Sequence, residues 1–256
     1  PAIRGGILAH GDHQVETRLV VAALIEACER TGVAIIRDRV ASVDPDTGAR
    51  TATVGLASGD AMSCAEVVVA AGCWSAAIDG FGPDVVIPVR PVKGQILRLR
   101  MPAGLPALAR NVLCVVAGSK CYVVPRRDGR VVVGATVEER GFDTDVTAGP
   151  VYELLRDSSR ILPSVLEMSL LEANAGLRPG SPDNLPMVGR LGAAMVATGH
   201  YRNGILLAPV TAQLVVGALI GRDETDPTLV AAASVLDPRR FASRSATSTA
   251  PGGTGA

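Results

Sequence analysis

The sequence predicts a mixed α/β fold in which stretches of α/β pattern flank a central segment of antiparallel strands. Continuous apolar runs over 65–70 and 194–197 indicate buried strands, and each run leads into a turn that contains glycine. Apolar residues recur at helical spacing over 15–31. From residue 85 to 136, alternating segments joined by turn residues are typical of antiparallel hairpins.

The elements can be placed in order along the chain. The helix over 15–31, with Thr17 as a candidate cap, ends at Gly32, and Pro163 ends a second helix that begins at Pro150. Strands are expected at 33–36, 40–43, 51–56, 65–70, 95–100, 111–117, 121–125, 130–136 and 166–173. The apolar stretch from Gly204 to Gly221 approaches the length of a membrane span, but its polar residues favour a buried helix.

Charge and cysteine content exclude several classes of function. The 256 residues carry 25 basic and 25 acidic side chains, so the broad basic surface of a nucleic-acid-binding protein is not expected. The number of cysteines, five, is odd and no two have C-x-x-C spacing, which argues against a disulfide framework. His10 and His13 have no third ligand near them in the sequence, which argues against a metal site. We therefore expect a cytoplasmic protein without a metal, a nucleic acid or a membrane as partner.

The run Gly199-His200-Tyr201-Arg202-Asn203-Gly204 has the most distinctive chemistry of the chain. It joins a predicted buried strand to a predicted helix, and such a corner presents backbone N–H groups and the positive end of a helix dipole to an anion. From spacing alone, two interpretations stay open: a solvated loop that caps a core helix, or a loop that lies against a cofactor.

This run, continued as Ile205-Leu206-Leu207-Ala208-Pro209, resembles the C-terminal flavin-contacting motif of the D-amino-acid oxidase-like FAD oxidoreductases. Within that family it is most similar to the branch that oxidises glycine in thiamine biosynthesis. Other stretches that resemble the family follow in the family's order: 91–95, 121–126, 133–136 and 175–180. Together the motifs extend from about Gly6 to Ile220.

The resemblance implies an FAD-binding α/β domain of the glutathione-reductase type together with an antiparallel-sheet substrate domain. Residues 1–84 and 176–240 would belong to the FAD domain, with 1–9 alternatively a strand of the substrate domain. Residues 85–175 would form the substrate domain, and 241–256 a disordered tail. The family opens with a βαβ unit that contains G-x-G-x-x-G, and this sequence has no such unit, so the N-terminal third of the family pattern is missing.

The resemblance also assigns roles to individual residues. Arg178 falls on the position that binds the substrate carboxylate, for which a planar guanidinium is well suited. Tyr122 would add a hydroxyl to that carboxylate, and Arg202 would contact both substrate and flavin. The resemblance implies further FAD contacts at Val40 and Gly72, where the backbone would approach the cofactor. It also implies contacts from the loop motif: His200, Tyr201, Asn203, Gly204, Ile205 and Leu206. The plainer interpretations are that Arg178 is a surface arginine, Tyr122 a core tyrosine and Val40 a core valine.

The function implied by the resemblance is FAD-dependent oxidation of glycine. A hydride would pass from Cα to flavin N5, and dioxygen would then give hydrogen peroxide, while the imine would supply thiamine thiazole synthesis. No residue is expected with certainty to be catalytic; His200 as a base is the weaker interpretation. Oxidation of sarcosine or a D-amino acid is one alternative, and an inactive fragment without FAD is another. A homo-oligomer is left open.

Overall fold

The structure is a computed structural model that describes residues 4–46, 51–81, 85–104, 108–116, 118–192, 194–221 and 226–244. The elements within these ranges, in chain order, are α1 (Thr17–Arg30), β1 (Val40–Asp46), β2 (Thr51–Leu56), β3 (Ala61–Cys64), β4 (Val68–Val69), β5 (Arg90–Arg100), β6 (Val112–Val116), β7 (Ser119–Pro125), β8 (Arg130–Gly134), α2 (Ala148–Ile161), β9 (Ser169–Gly180), β10 (Met187–Leu191), β11 (Ala194–Thr198), α3 (Gly204–Leu219) and α4 (Pro227–Leu236). Short 3₁₀ helices cover Gly72–Ala77, Pro163–Glu167 and Pro238–Arg244. The mixed α/β class is confirmed.

The chain divides into two compact units. The first contains Pro1–Ile35 and Pro91–Leu177, and the second contains Ile36–Arg90 and Arg178–Ala256. This differs from the predicted domains at the start of the chain, because residues up to Ile35 group with the antiparallel sheet. Two polar contacts join the start of the chain to this sheet. Arg18 forms an ion pair with Glu172 at 2.8 Å, and Gln14 Nε2 donates to the Pro125 carbonyl at 2.7 Å.

The first unit is built on a five-stranded sheet in the order β6-β7-β8-β5-β9. The pairs β6–β7, β7–β8 and β5–β8 are antiparallel, and the predicted turn at 126–129 closes with Arg126 N–H donating to the Arg130 carbonyl at 2.7 Å. Helix α2 packs on β6, β7 and β8. The core between them is apolar: Leu97, Leu99, Val123, Val131, Val133, Leu154, Val165 and Met168.

A buried polar network in the first unit joins β5 to the segment that follows β8. The Lys93 and Gln95 side chains, from the predicted motif at 91–95, are fully buried. Lys93 Nζ lies 2.8 Å from Asp143 Oδ2, and Gln95 Nε2 donates to Glu138 Oε1 at 3.0 Å. Buried polar groups with such partners fix the backbone they connect, so this motif has a structural role.

The second unit contains two three-stranded sheets, β1-β2-β3 and β10-β11-β4. In the latter, β4 runs parallel to β11, with Val68 opposite Met195 and Val69 opposite Val196. Helices α3 and α4 pack on β10. Because the carboxyl ends of parallel strands meet at one edge of a sheet, the residues that follow β4 and β11 lie close together.

Several predicted strands are wrong or shorter than expected. Residues 4–9 form no strand, and neither do residues 33–36, where Val33, Ile35 and Ile36 are exposed. The run at 65–70 contributes only Val68–Val69 to a sheet. An apolar sequence favours a strand, but a strand forms only where a neighbour offers backbone hydrogen bonds.

Helix α3 forms where it was predicted, but it is not a buried helix. Thr211 and Val215 are its only buried residues, and Leu206 is 77% exposed. Among the described residues, no helix combines the length and apolarity needed to cross a bilayer.

The predicted disordered tail, 241–256, starts before the last described helix ends. Residues 241–244 complete a 3₁₀ helix, because Phe241 packs against the cluster of Ile87, Met187, Leu191 and Val196. The rest of the predicted tail lies outside the described residues.

Candidate functional site

The candidate site is a corner of the second unit where the chain leaves β4 and β11. Two buried hydroxyl groups tie these strand ends together. Thr198 Oγ1 donates to the Gly72 carbonyl at 3.0 Å, and Ser75 Oγ donates to Thr198 Oγ1 at 3.1 Å. Neither Ser75 nor Thr198 was predicted from the sequence, because a short hydroxyl residue next to a strand is common and carries no distinctive spacing.

Positive backbone φ angles shape this corner. Gly72 has φ +55° and Gly199 has φ +75°, a region that favours glycine. A Cβ built at Gly72 would meet no atom within 4 Å, so the Gly72 backbone borders open space. Val40 packs with Ala71 on the core of Val43 and Val69, so its side chain is a core side chain. A cofactor contact through the Val40 backbone stays a prediction.

The loop between β11 and α3 is fixed mainly by backbone hydrogen bonds. Tyr201 N–H donates to the Pro179 carbonyl at 2.9 Å, and Gly180 forms a β-bridge with His200. Tyr201 itself has φ +49°, which is unusual for a residue other than glycine. The loop is thereby attached to the end of β9.

The N-terminus of α3 follows this loop directly. The first hydrogen bond of α3 runs from Leu207 N–H to the Asn203 carbonyl at 2.9 Å, and the Asn203 side chain does not cap the helix. The N–H groups of Gly204, Ile205 and Leu206 therefore have no acceptor within the helix. With the positive end of the helix dipole, they favour negative charge beside the loop.

Two arginines belong to the same corner. The glycine and proline residues around Arg178 predict a turn, but Arg178 lies in the last three residues of β9, immediately before Pro179, and is half-buried. Arg202 lies in the loop and is exposed, and the part of the chain that the structure describes offers it no ion pair. Because the Pro179 carbonyl accepts a hydrogen bond from Tyr201, the backbone that carries Arg178 lies next to the loop. A planar guanidinium is a group that suits a carboxylate.

The His200 side chain has a structural role. Its Nε2 lies 2.9 Å from Thr211 Oγ1, two turns into α3, and burial lowers the pKa of the imidazole. A neutral imidazole bonded to Thr211 holds the loop against the helix, which does not favour His200 as a base. The polar Thr211 within an apolar helix is the sequence signal for this contact.

Tyr122 lies in the first unit, at the centre of β7, and is half-buried. It is paired with Gly134 of β8. A Cβ built at Gly134 would lie 2.5 Å from Tyr122 Oη and 2.8 Å from Ile96 Cγ2. The phenol ring therefore lies over Gly134 because that position has no side chain.

A separate cleft of about 790 Å³ in the first unit is lined by none of the predicted site residues. Two of its arginines are neutralised: Arg130 pairs with Asp128 at 2.7 Å, and Arg126 pairs with Glu16 at 3.5 Å. Within the described residues, no group of three or more His, Cys, Asp or Glu gathers to hold a metal ion. The corner in the second unit is therefore the better candidate site.

Comparison with known proteins decides the family of this chain. The family described as FAD dependent oxidoreductase (DAO) matches residues 1–218. The chain belongs to this family. It is 35% identical over 228 residues to the bifunctional protein ThiO/ThiG of Trichormus variabilis, an alignment that covers 88% of this chain and 33% of that protein.

Two crystal structures show the DAO architecture in which this chain folds. Glycine oxidase from Geobacillus kaustophilus matches with a TM-score of 0.71 and 33% identity, over 81% of this chain and 54% of that one. Iminodiacetate oxidase (IdaA) from Chelativorans sp. BNC1 matches with a TM-score of 0.70 and 28% identity, over 82% and 56%. The chain thus spans between a third and somewhat over half of the length of these relatives.

Proposed function

We propose that this chain provides the substrate-binding and flavin-contacting part of an enzyme that oxidises glycine. One feature supports the proposal: the residues directly after Arg178 are joined to the loop that precedes α3, by the Tyr201–Pro179 hydrogen bond and the Gly180–His200 bridge. A carboxylate anchor and an anion-stabilising helix end then share one corner. That combination suits a flavoenzyme acting on an amino acid.

The residues of the corner fit the isoalloxazine end of FAD. Gly72 leaves space beside its backbone, and residues 200–206 offer the N–H groups of the α3 N-terminus. When bound, FAD would take up the hydride from the amine carbon and pass its electrons to dioxygen, which gives hydrogen peroxide. The positive end of α3 would stabilise the negative charge that reduction creates, without reorganisation.

The substrate carboxylate would be bound by Arg178 through a bidentate pair, with Arg202 contributing at the flavin side. Tyr122 is proposed independently, from its motif, to donate its hydroxyl to the carboxylate. Since the lone pair of a free amine assists loss of the Cα hydride, no protein base is required. This agrees with the engagement of His200 by Thr211.

We favour glycine as the substrate because similar proteins are named for its oxidation. Glycine oxidase shares 33% identity with this chain, and ThiO/ThiG suggests that the imine product enters thiamine thiazole synthesis. Sarcosine or a D-amino acid is the alternative, since one methylene changes selectivity by only about 1–3 kcal/mol. Five free cysteines favour the cytoplasm as the compartment.

The proposal is tested by the flavin spectrum of the complete protein. We expect a yellow protein whose flavin absorbance is bleached by glycine in the absence of oxygen and restored by air, with peroxide formed. Glycine, sarcosine and D-alanine are compared under identical conditions. A protein that stays colourless after incubation with FAD would show that no working flavin site is present and would overturn the proposal.

Arg178→Ala tests the carboxylate anchor. We expect the KM for glycine to rise by the equivalent of about 2–4 kcal/mol, because a charged hydrogen-bond pair is lost, while the flavin stays bound. Arg190→Ala is the matched control, since Arg190 is an exposed arginine of the same unit that pairs with Glu66 at 2.7 Å. An unchanged KM in Arg178→Ala would exclude the assigned role.

A further inference from the structure

Two cysteine thiols face each other across the β6–β7 hairpin. Cys114 and Cys121 are direct partners in the antiparallel register, and their Sγ atoms lie 2.9 Å apart. All five cysteines are free thiols. In the described part of the chain, Cys28, Cys64 and Cys73 have no sulfur neighbour of this kind. The 114–121 pair is therefore set apart by geometry.

The backbone at this pair suits a cross-strand disulfide. Directly opposite residues of an antiparallel pair have Cα atoms about 4.5–5.5 Å apart, and disulfides span about 4.4–6.8 Å between Cα atoms. Opposite residues also project to the same face of the sheet. Side-chain rotation alone would bring the two sulfurs to bonding distance, without a change in the register.

The two thiols differ in access to solvent. Cys114 lies on β6, the edge strand of the sheet, and is half-buried, whereas Cys121 is buried under helix α2. Burial, with contributions from Cys114 and Asp157, raises the pKa of Cys121 to about 12. Cys114 is thus the sulfur that an oxidant from solvent meets, and Cys121 is a protonated thiol in contact with it.

We propose that Cys114 and Cys121 form a dithiol site that hydroperoxides oxidise to a cross-strand disulfide. The Cys114 sulfur attacks one peroxide oxygen: the S–O bond forms, the O–O bond breaks, and the other oxygen takes up the proton that the Cys114 thiol loses and leaves as water. Cys121 sulfur then attacks Cys114 sulfur, the S–O bond breaks, and the departing oxygen takes the Cys121 proton as a second water. Two thiols lose two electrons, and hydrogen peroxide gains them.

The oxidant of this site would be a product of the enzyme's own reaction, a point that rests on the proposed function. Oxidation of glycine by dioxygen releases hydrogen peroxide, so turnover itself would supply the oxidant. The disulfide would join β6 to β7, the strand that carries Tyr122 next to Cys121. The modification would therefore stiffen the hairpin that presents a predicted substrate-binding residue.

The test treats the complete protein with hydrogen peroxide in the absence of any amine substrate, so its result does not depend on the proposed oxidase activity. Thiols are then counted after denaturation, and non-reducing peptide mapping locates cross-links. We expect the accessible count to fall from five to three. The mapped cross-link should join 114 to 121 and should be reversed by dithiothreitol.

Two variants distinguish a cross-link formed at this site from general oxidation of the cysteines. Cys114→Ser, at the half-buried member, should abolish the cross-link while circular dichroism stays native. Cys64→Ser, a half-buried cysteine of the other unit, is the matched control and should leave the cross-link intact. Retention of all five thiols, over-oxidation of Cys114 without a cross-link, or a cross-link elsewhere would each overturn the proposal.

Discussion

Tyr122 and Arg178, the two predicted carboxylate-binding residues, are held in place by different means. Tyr122 lies within the sheet of the first unit, where its ring covers Gly134 next to Ile96. Arg178 lies at the end of β9 in the second unit, beside a loop that is fixed by backbone hydrogen bonds and positive φ angles. Side-chain volume determines the first position, and backbone conformation determines the second.

This difference predicts how each region responds to mutation. A packed sheet resists added volume, because neighbouring side chains have no room to relax. The loop between β11 and α3 depends instead on its φ angles, because a left-handed conformation is strained for residues other than glycine. The glycines of the two regions therefore have distinct roles: Gly134 leaves space for a ring, whereas Gly199 adopts a left-handed conformation.

Gly134→Ala should have the largest effect. Its new Cβ would lie 2.5 Å from Tyr122 Oη and 2.8 Å from Ile96 Cγ2, so the phenol ring must move. We expect a loss of about 1–3 kcal/mol in the free energy of unfolding, measured by denaturant titration. A higher KM for glycine should accompany it, because Tyr122 is displaced.

Gly176→Ala is the control for this substitution. Gly176 is in β9 of the same unit, it has no positive φ, and a Cβ built there would meet no atom within 4 Å. Its stability should be equal to or slightly above that of the parent, because alanine restricts the unfolded chain more than glycine does. If both variants lose stability equally, added volume under Tyr122 is not the cause.

Gly199→Ala should have the next largest effect, through backbone strain. Because Gly199 has φ +75°, an alanine there would lower the free energy of unfolding by about 1–2 kcal/mol. The side-chain atom nearest to the new Cβ, Met187 Cε at 3.2 Å, can move aside. We expect a matching loss of stability and weaker flavin retention, followed by flavin fluorescence. Gly204→Ala, at the first residue of α3 and with an ordinary φ, should leave the free energy of unfolding close to that of the parent; a stability loss there equal to that of Gly199→Ala would contradict the strain argument.

The sequence predicted the corner better than its surroundings. The glycines and the strand–loop–helix pattern at 194–220 have local physical causes, so the position of α3 and its N-terminus could be inferred before the structure. The tie between β4 and β11 through Ser75 and Thr198 could not, because those residues are 123 positions apart and neither carries a local signal. Around Arg178 the local signal is misleading: glycine and proline favour a loop, but β9, which is hydrogen-bonded to β5, continues to Gly180.

A pH titration should show the smallest effect and would sharpen the account of the corner. Burial lowers the pKa of His200 below its ordinary 6.5, so the unfolded chain takes up the proton at a higher pH than the folded chain does. This contribution to stability is present above pH 6.5 and is lost as the pH falls through the lower pKa of the folded state. Denaturant unfolding from pH 8 to 5 should therefore show a decline that His200→Gln removes and that His13→Gln, at an exposed histidine, retains. An imidazole proton resonance that titrated above the ordinary value would mean that His200 is a charged partner in the corner, rather than the neutral group that attaches the loop to α3.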